Sequence, residues 1–229
     1  MYRNKSFLAI IPARGGSKSI PKKNLKKLGN KKLIEWTIQS AQKSKYIDRL
    51  ILSSDDKEII KVAHKLNCEV PFKRPKKISS DKSTTVEVIS HAILNITESY
   101  DFVIVLQPTS PFRNHGHIDG AIKKLIKTKS KSLVSVKKIH TPVELIYRIN
   151  KKNIIKPILK NNNKTNRQDY ETFYMLNGAI YIINSMLYKS NQSLIANETI
   201  PYIMDDKSSI DIDTPNDLKT ANFLLDKKK

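Results

Sequence analysis

The sequence predicts an α/β fold in which a mostly parallel central sheet is flanked by helices. Up to about residue 137, short apolar runs alternate with longer segments whose apolar residues recur at helical spacing. Strands that alternate with helices in this way indicate βαβ units, and therefore parallel strands. The chain has 229 residues, enough for one substantial core, so we expect a single domain over 1–229.

The strands of the first half are predicted from short, almost uninterrupted apolar runs. Such runs are typical of strands that are buried on both faces of a sheet. They cover Phe7–Pro12, Arg49–Ser53, 102–106 and 132–136.

The helices between these strands are predicted from apolar residues three and four positions apart. Ser83 or Thr84 is the expected N-cap of the third helix, since a side-chain oxygen at that position accepts from a free backbone N–H. The predicted helices cover Leu33–Gln42, 57–66, 84–96 and 118–126.

The alternation is lost after residue 137. Residues 139–177 hold a weak strand at 145–149 and a polar stretch at 160–168. We interpret 139–177 as an excursion from the sheet, either a flap or an arm for a partner subunit. Strand character returns at 178–183 and 202–204.

The last helix has a clear predicted start. Thr214 is the expected cap, Pro215 occupies the first helical position and Asp217 lies in the first turn. The helix should end near residue 225.

The charge of the chain is strongly positive, with 42 Lys+Arg against 21 Asp+Glu and a formal net charge of +21. A non-catalytic nucleic-acid-binding protein is therefore one alternative. However, the lysines form scattered pairs, and no basic stripe is interleaved with aromatic residues for stacking on bases. We favour a solvated surface and expect no nucleic-acid partner.

Composition also limits the compartment. Cys68 is the single cysteine, so an internal disulfide is excluded and a reducing cytoplasm is the expected location. No apolar stretch approaches the roughly 20 residues that a membrane helix needs. We therefore expect no membrane association.

A glycine pair with basic neighbours directly follows the first predicted strand, in the sequence Pro12-Ala13-Arg14-Gly15-Gly16-Ser17-Lys18. In open α/β sheets, ligands bind beyond the carboxyl ends of the strands. Glycines let backbone N–H groups approach an anion, and the side chains of Arg14, Lys18 and Lys23 add positive charge. This loop is interpreted as a cradle for a polyphosphate; the alternative is a solvated basic turn.

Asp211 and Asp213 form the second candidate site. We expect them in a strand, where residues two apart point to the same side, while Ile210 and Ile212 face the core. Paired carboxylates are typical Mg²⁺ ligands when phosphate oxygens and water complete the octahedron. The alternative is that Asp213 only belongs to the turn before the last helix.

Three further segments carry polar groups at positions suited to binding. The loop 107–113 follows a buried strand and is either a substrate-contact loop or a stiff connector. Loop 74–81 carries Arg74, and 167–169 with 177–178 bracket the start of a strand. His115 and His117 lack an evident third metal ligand, and Cys68 lacks the partners of a nucleophile.

Five motifs, in this order, resemble the signature of the acylneuraminate cytidylyltransferases, the CMP-sialic acid synthetases. They cover nearly the whole chain. The motifs are 11–18 with 21–25, 106–111, 167–169, 177–181 and 209–213.

The resemblance implies a Rossmann-like nucleotidyltransferase fold and transfer of CMP from CTP to a nine-carbon α-keto acid sugar. It also implies a homodimer, with 139–177 as the dimerisation arm, and Mg²⁺ as the cofactor, with Mn²⁺ as a possible substitute. Within the enzyme class, a sugar nucleotidyltransferase that uses octulosonate (KDO) or another substrate is the alternative.

The same resemblance implies roles for individual residues. Arg14, Lys23, Asp211 and Asp213 carry catalysis, and the two aspartates hold the metal. Gln107, Thr109, Arg167, Gln168 and Asn177 contact the sugar. The nucleotide is bound by Ala13, Arg14, Gly15, Gly16, Ser17, Lys18, Lys23, Asn24, Arg74 and Thr85.

Two departures from the family bear on the sugar. Met175 stands where the sialic acid enzymes commonly carry an arginine, which argues against N-acetylneuraminate. The apolar 9-methyl of 5,7-diamino sugars such as legionaminate or pseudaminate would suit a less charged pocket, and the sequence leaves the choice among these nonulosonic acids open. Asn24 follows Lys23 where the KDO enzymes have a proline, which argues against KDO.

Overall fold

The computed structural model describes residues 1–159 and 171–226. Within these residues the strands are β1 Phe7–Pro12, β2 Lys27–Leu28, β3 Lys31–Lys32, β4 Arg49–Ser53, β5 Phe102–Val105, β6 Ser132–Lys138, β7 Tyr147–Ile149, β8 Ile155–Pro157, β9 Tyr174–Asn184 and β10 Ile200–Met204. The α-helices are α1 Leu33–Gln42, α2 Lys57–Lys65, α3 Thr85–Leu94, α4 His115–Lys127, α5 Ser185–Asn191 and α6 Pro215–Asp226. Short 3₁₀ turns cover Lys23–Leu25, Lys76–Ile78 and Val143–Leu145.

Six strands form the central sheet, in the order β10-β6-β9-β5-β1-β4. The pairs β1–β4, β1–β5 and β6–β10 are parallel, whereas β9 runs antiparallel to both of its neighbours. The predicted α/β fold with a mostly parallel sheet is thus confirmed. The antiparallel β9 was not predicted.

The two faces of the sheet are covered by different helices. Successive side chains of β1 point to opposite faces and therefore pack on different helices. Phe7, Ala9 and Ile11 point to the face that carries α1, α2 and α4. Leu8 and Ile10 point to the opposite face, which carries α3 and α5. The sheet is therefore the middle layer of three.

A third, smaller core joins the two ends of the chain. Ile20 and Leu28, from the segment after β1, pack with Ile212 and with Ala221 of α6. Ile212 is fully buried there. This packing holds the Asp211–Asp213 segment beside the glycine loop.

The helix starts follow side-chain capping. Thr84 caps α3 through a capping box with Glu87, as one of the two predicted N-caps. Asn114 caps α4, which begins at His115 rather than at the predicted 118. Thr214 and Asp217 exchange hydrogen bonds at the start of α6, which matches its predicted start.

One prediction of secondary structure is wrong, and one helix was missed. Asp211 and Asp213 do not lie in a strand, because the segment 205–213 leaves the sheet after β10 and packs through Ile212 on the third core. Helix α5 was not predicted. In addition, β9 begins at Tyr174, so the last residues of the predicted excursion belong to the central sheet.

The described part of the excursion contains β7 and β8, which pair only with each other in an antiparallel hairpin. The predicted weak strand 145–149 corresponds to β7 and the 3₁₀ turn before it. Arg167 and Gln168 lie outside the described residues. Among the helices that the structure describes, none combines the length and the apolar character that crossing a bilayer would require.

Candidate active site

Two adjacent cavities open at the edge of the sheet where β1 and β5 end. The first has a volume of about 310 Å³ and lies between the glycine loop and the start of α3. The second has a volume of about 520 Å³ and lies between the start of β9 and the Asp211 segment. Gln107 lines both, so its side chain stands at the wall between them.

Most of the residues expected to bind nucleotide line the first cavity. Of the described candidates, Ala13, Gly15, Lys18 and Asp213 line neither cavity. Predicted residues that do line the first cavity are Arg14, Gly16, Ser17, Lys23, Asn24, Arg74, Thr85, Gln107 and Thr109.

The glycine loop is held against the start of α2. Gly15 N–H donates to Asp55 Oδ1 at 3.0 Å. A Cβ on Gly15 would lie 2.6 Å from Asp56 Oδ2, the N-cap side chain of α2, whereas a Cβ on Gly16 would meet nothing within 4 Å. Gly15 is therefore a packing glycine, and Gly16 presents open backbone to the cavity.

Asn24 links this loop to the 3₁₀ turn that follows it. Its Nδ2 donates to the carbonyl oxygen of Arg14 at 2.9 Å. Its Oδ1 is buried and has no hydrogen-bond partner among the described residues. Asn24 thus braces the loop and keeps one acceptor unpaired beside the cavity.

Arg74 forms part of the buried lining of the first cavity and is only 4% exposed. Its guanidinium donates to the carbonyl oxygen of Ser53 at 3.1 Å, and its Nε has no partner among the described residues. Burial lowers the pKa of Arg74 to about 10, although the nearby charge of Asp55 opposes the shift. The side chain remains a cation at neutral pH.

Lys23 connects the two ends of the chain through its ammonium group. Its Nζ donates to Asp213 Oδ1 and to the carbonyl oxygen of Ile212, each at 2.9 Å. The Lys23 side chain is 15% exposed, whereas that of Asp213 is 68% exposed. Lys23 is thus fixed at the rim of the first cavity.

Asp211 lines the second cavity and is half-buried, whereas Asp213 is exposed. Burial raises its pKa, a hydrogen bond from the Thr109 side chain lowers it, and the charge of Asp213 raises it further. The net shift is upward. Asp211 Oδ1 is buried without a hydrogen-bond partner among the described residues.

The position of this acidic segment is set by its backbone. Ile212 N–H donates to the carbonyl oxygen of Thr109 at 2.8 Å, which fastens the segment to the loop after β5. The two carboxylates are close enough for the charge of Asp213 to raise the pKa of Asp211. Their proximity therefore arises without the predicted strand.

The second cavity contains residues that sequence reasoning did not select. Lys137 lies at the end of β6, and Leu176 and Tyr181 lie on β9. Lys137 directly follows the predicted strand 132–136, and this position at a strand end could have marked it as a site residue. Leu176 and Tyr181 could not be identified in this way, because the local sequence pattern does not show that β9 pairs with β6.

Asn177 borders the second cavity, but its side chain is directed into the protein and is engaged there. The residue is 4% exposed. Its Oδ1 accepts from Ser135 Oγ at 2.5 Å, and its Nδ2 donates to Ser209 Oγ at 2.9 Å. Asn177 therefore ties β9 to β6 and to the segment that carries Asp211.

The β6–β9 ladder is interrupted at this point. Val134 faces Tyr181, whereas Val136 faces Leu176, so β9 carries additional residues between the two pairs. The Ser135 hydroxyl fills the interruption by accepting from Ile180 N–H at 2.7 Å. The extra residues include Gly178, which lines the second cavity.

Arg113, at the end of the loop 107–113, is fully buried and points away from the cavities. Its guanidinium donates to the carbonyl oxygens of Gln107 at 3.1 Å and Ala179 at 3.0 Å. Burial lowers its pKa to about 9. The loop therefore lines the cavities at Gln107 and Thr109 and is a structural connector at Arg113.

The remaining candidates lie outside both cavities. His117 Nδ1 accepts from Asn114 N–H at the start of α4. Cys68 is buried in the main core, and burial raises the pKa of its thiol to about 12. Neither residue lines either of the two cavities.

The α/β fold and the paired cavities, one of them lined by a glycine loop with basic side chains, are the arrangement expected of a nucleotide-binding protein. Residues 8–224 match the model of the cytidylyltransferase family. The chain belongs to the cytidylyltransferase family. This result confirms the family resemblance and the nucleotidyltransferase class that the sequence indicates.

The relatives include enzymes that act on different sugars. The pseudaminic acid cytidylyltransferase of Campylobacter jejuni (serotype O:2) is 34% identical over 95% of this chain and 95% of its own length. The CMP-N,N'-diacetyllegionaminic acid synthase of Legionella pneumophila is also 34% identical, over 96% of each chain. The N-acylneuraminate cytidylyltransferase of Escherichia coli O18:K1:H7 is 34% identical over 97% of this chain and 52% of its own length.

Solved structures support the fold. A CMP:2-keto-3-deoxy-manno-octonic acid synthetase complexed with CTP matches with a TM-score of 0.74 at 13% identity, covering 98% of this chain and 100% of the other. The 4-diphosphocytidyl-2C-methyl-D-erythritol synthase of Anaerococcus prevotii matches with a TM-score of 0.68 at 18% identity, covering 97% and 99%. The Rossmann-like nucleotidyltransferase fold is thereby confirmed.

Proposed function

We propose that this protein transfers CMP from CTP to the anomeric hydroxyl of a nonulosonic acid and releases pyrophosphate. The observation that carries the proposal is the junction of the two cavities at Gln107. One cavity has cationic residues suited to a triphosphate, and the other is lined by Lys137 and Asp211. A sugar in the second cavity would lie next to a nucleotide in the first.

The reaction needs positioning and charge stabilisation rather than a covalent enzyme intermediate. The oxygen of the sugar hydroxyl forms a bond to the α-phosphorus as the bond from that phosphorus to the β-phosphate oxygen breaks. The hydroxyl proton is released to solvent. Arg14 and Lys23, which line the first cavity, would stabilise the negative charge that grows on the departing pyrophosphate.

We further propose that Asp211 and Asp213 hold a Mg²⁺ ion, for which Mn²⁺ could substitute. The residues fit such an ion, since Asp211 Oδ1 is buried and unpartnered and the Asp213 carboxylate is largely exposed. Among the described residues, no group of three or more His, Cys, Asp or Glu side chains is suited to a metal. Mg²⁺ commonly binds one or two carboxylates together with phosphate oxygens, and it neutralises phosphate charge.

The sugar that we propose is a 5,7-diamino nonulosonic acid of the legionaminate or pseudaminate type. Met175 and Leu176 line the second cavity, and both side chains are partly exposed. Apolar groups there suit the 9-methyl group of such a sugar. Relatives at 34% identity bear the names of both sugars, and one at the same identity bears the name of N-acylneuraminate, so the choice rests on the apolar lining and not on the relatives.

The β7–β8 hairpin is proposed to be an arm that packs on a second copy of the chain. Its Ile149 and Ile155 side chains are 68% and 63% exposed. Exposed apolar side chains clustered on one element are typical of an interaction surface.

A cytoplasmic location is also proposed, and the single, buried Cys68 agrees with a reducing compartment.

The decisive experiment measures pyrophosphate release from CTP in the presence of Mg²⁺. N-acetylneuraminate, legionaminate, pseudaminate and KDO are tested in parallel. Release with legionaminate or pseudaminate supports the full proposal, whereas release with N-acetylneuraminate supports the reaction and corrects the sugar. Release with KDO alone, or no release from folded protein, overturns the proposal, and salt-dependent binding to nucleic acid would then be measured.

A further inference from the structure

Asp81 lies on the loop between the 3₁₀ turn Lys76–Ile78 and α3, and it lines the first cavity. Its Oδ1 lies 2.6 Å from Arg14 NH2, and its Oδ2 lies 3.3 Å from Lys18 Nζ. A single carboxylate therefore bridges two cations of the glycine loop.

The loop that carries Asp81 is itself held in a defined shape. Ser80 N–H donates to Ser83 Oγ at 3.1 Å, and Ser83 Oγ donates to the carbonyl oxygen of Lys77 at 3.4 Å. Thr84 then caps α3. Asp81 is thus presented to Arg14 by an organised turn, next to the helix cap.

The Asp81 carboxylate neutralises the positive charges of Arg14 and Lys18, which a bound phosphate would also use. Desolvation opposes ionisation of Asp81, but its bonds to Arg14 and Lys18 outweigh this effect and lower its pKa. The carboxylate oxygens occupy positions on Arg14 and Lys18 that phosphate oxygens of a nucleotide would also take. A phosphate oxygen can take the place of Asp81 Oδ1 on Arg14 NH2 only after the carboxylate has moved away.

We propose that Asp81 is an internal competitor for phosphate at Arg14 and Lys18, and that it sets the affinity of this site for pyrophosphate. This inference rests on the proposed function, in which pyrophosphate is the product. CTP carries a nucleoside that would make additional contacts in the cavity. Those contacts would offset the free-energy cost of displacing Asp81 from Arg14 and Lys18. Pyrophosphate lacks those contacts, and the return of Asp81 to Arg14 favours its release.

The opposite role is also open to test. A carboxylate on Arg14 would be a positioning residue if it held the guanidinium in the orientation that phosphate needs. Removal of its charge would then weaken anion binding. The two roles differ in the sign of the effect of one substitution.

The test is calorimetric titration of the full chain with inorganic pyrophosphate, comparing wild type, Asp81→Asn and the control Glu58→Gln. Glu58 is paired with Lys22 at 3.1 Å and does not line the cavity, so both variants remove one paired carboxylate charge. We expect Asp81→Asn to bind pyrophosphate roughly tenfold more tightly than wild type. A change of this size is consistent with the loss of two competing ion pairs at the protein surface. Glu58→Gln should differ from wild type by less than about twofold.

Equal affinities of wild type and Asp81→Asn, or weaker binding by the variant, would overturn the competition while leaving a phosphate site in place. An absence of binding by all three folded proteins would overturn the phosphate site of the proposed function as well. Asp81→Ala provides a second variant if the asparagine forms a new hydrogen bond to Arg14. In steady-state assays, the tighter variant should also show stronger product inhibition by pyrophosphate.

Discussion

Gly178 and Gln107 meet at the wall between the two cavities, where a Cβ on Gly178 would lie 2.9 Å from Gln107 Oε1. Gly178 also has φ = +72°, a backbone conformation that residues with a Cβ rarely adopt. The glycine belongs to the interrupted part of β9, and Gln107 lies two residues beyond the end of β5. The close approach of Gln107 to the β9 backbone therefore requires that residue 178 has no side chain.

The first prediction concerns Gly178→Ala. The new methyl group should displace the Gln107 side chain and strain the backbone by about 1 kcal/mol. We expect kcat/KM for the sugar to fall at least about tenfold, with a smaller change in KM for CTP. Steady-state kinetics with each substrate varied in turn would show the difference.

Gly29→Ala is the matched control for that substitution. Gly29 also has a positive φ, of +60°, but its added Cβ would meet Leu225 rather than a cavity residue. It should lose stability without losing kcat/KM. Equal losses of activity in the two alanine variants would contradict a specific role of the Gly178–Gln107 contact.

The second prediction concerns Asp211→Ala. This carboxylate lines the second cavity and has one buried, unpartnered oxygen among the described residues, so its removal should lower kcat at least about 10²-fold, on the scale of an electrostatic catalytic group. The measurement is pyrophosphate release at saturating substrates. Asp206→Ala removes an exposed carboxylate that pairs with His140 and should keep near-normal turnover. Near-normal turnover of Asp211→Ala would refute the catalytic role.

The strands and the glycine loop could be predicted because their signals are local. The apolar runs of β1 and β4 and the glycines after β1 are contiguous in sequence. Parallel strands bring their carboxyl ends to one edge, so the convergence of Arg14 with Gln107 followed from the fold class.

The remaining parts of the site depend on packing that no local pattern carries. Ile210 and Ile212 alternate with Asp211 and Asp213 as they would in a strand, yet they pack on α6 and the segment after β1. The inward direction of Asn177 depends on Ser135 and Ser209, which are 42 and 32 residues away. The sequence showed the polar groups but not their partners.

The third prediction concerns the reactivity of Cys68. Because burial raises the pKa of its thiol to about 12, the thiolate is scarce at pH 8 and the sulfur is inaccessible. We expect slow reaction with Ellman's reagent in the native protein and fast reaction after unfolding in guanidinium chloride. Cys68→Ala should retain activity. Fast labelling of native protein accompanied by inactivation would contradict this expectation.

The fourth prediction concerns acid stability. Burial lowers the pKa of both His91 and His117, with Arg74 and Lys77 adding to the effect at His91. Near pH 6.5, where histidine titrates in the unfolded chain, the folded protein thus binds fewer protons. The stabilising contribution is present above that pH and is lost as the pH falls toward the folded-state pKa values.

Urea denaturation at pH 7.5 and 5.5 would measure this loss. His117→Gln removes the titration and should reduce the difference between the two pH values, since its side-chain oxygen can still accept from Asn114 N–H. His64→Gln changes an exposed histidine of α2 and is the control. An unchanged pH dependence in His117→Gln would show that His117 does not contribute.

The fifth prediction concerns the β7–β8 hairpin as a dimer arm. Ile149 and Ile155 face each other across the hairpin and are both more than half exposed. Replacing both with glutamate should abolish the apolar contact with a second copy, so that a wild-type dimer becomes a monomer in sedimentation velocity. Because both residues lie on a hairpin outside the central sheet, the circular dichroism spectrum of the fold should be retained.

Lys151→Glu combined with Lys152→Glu is the control for charge, since both lysines lie in the turn of the same hairpin and are exposed. This variant introduces acidic residues without removing apolar surface and should remain dimeric. A monomeric wild type at tens of micromolar, or a dimer that survives both isoleucine substitutions, would exclude the hairpin as the arm. If the arm also completes the partner's site, the monomeric variant should lose turnover in proportion to the fraction of dimer lost. Diluting the wild type shifts the dimer toward monomer by mass action and should then lower turnover per chain in the same way.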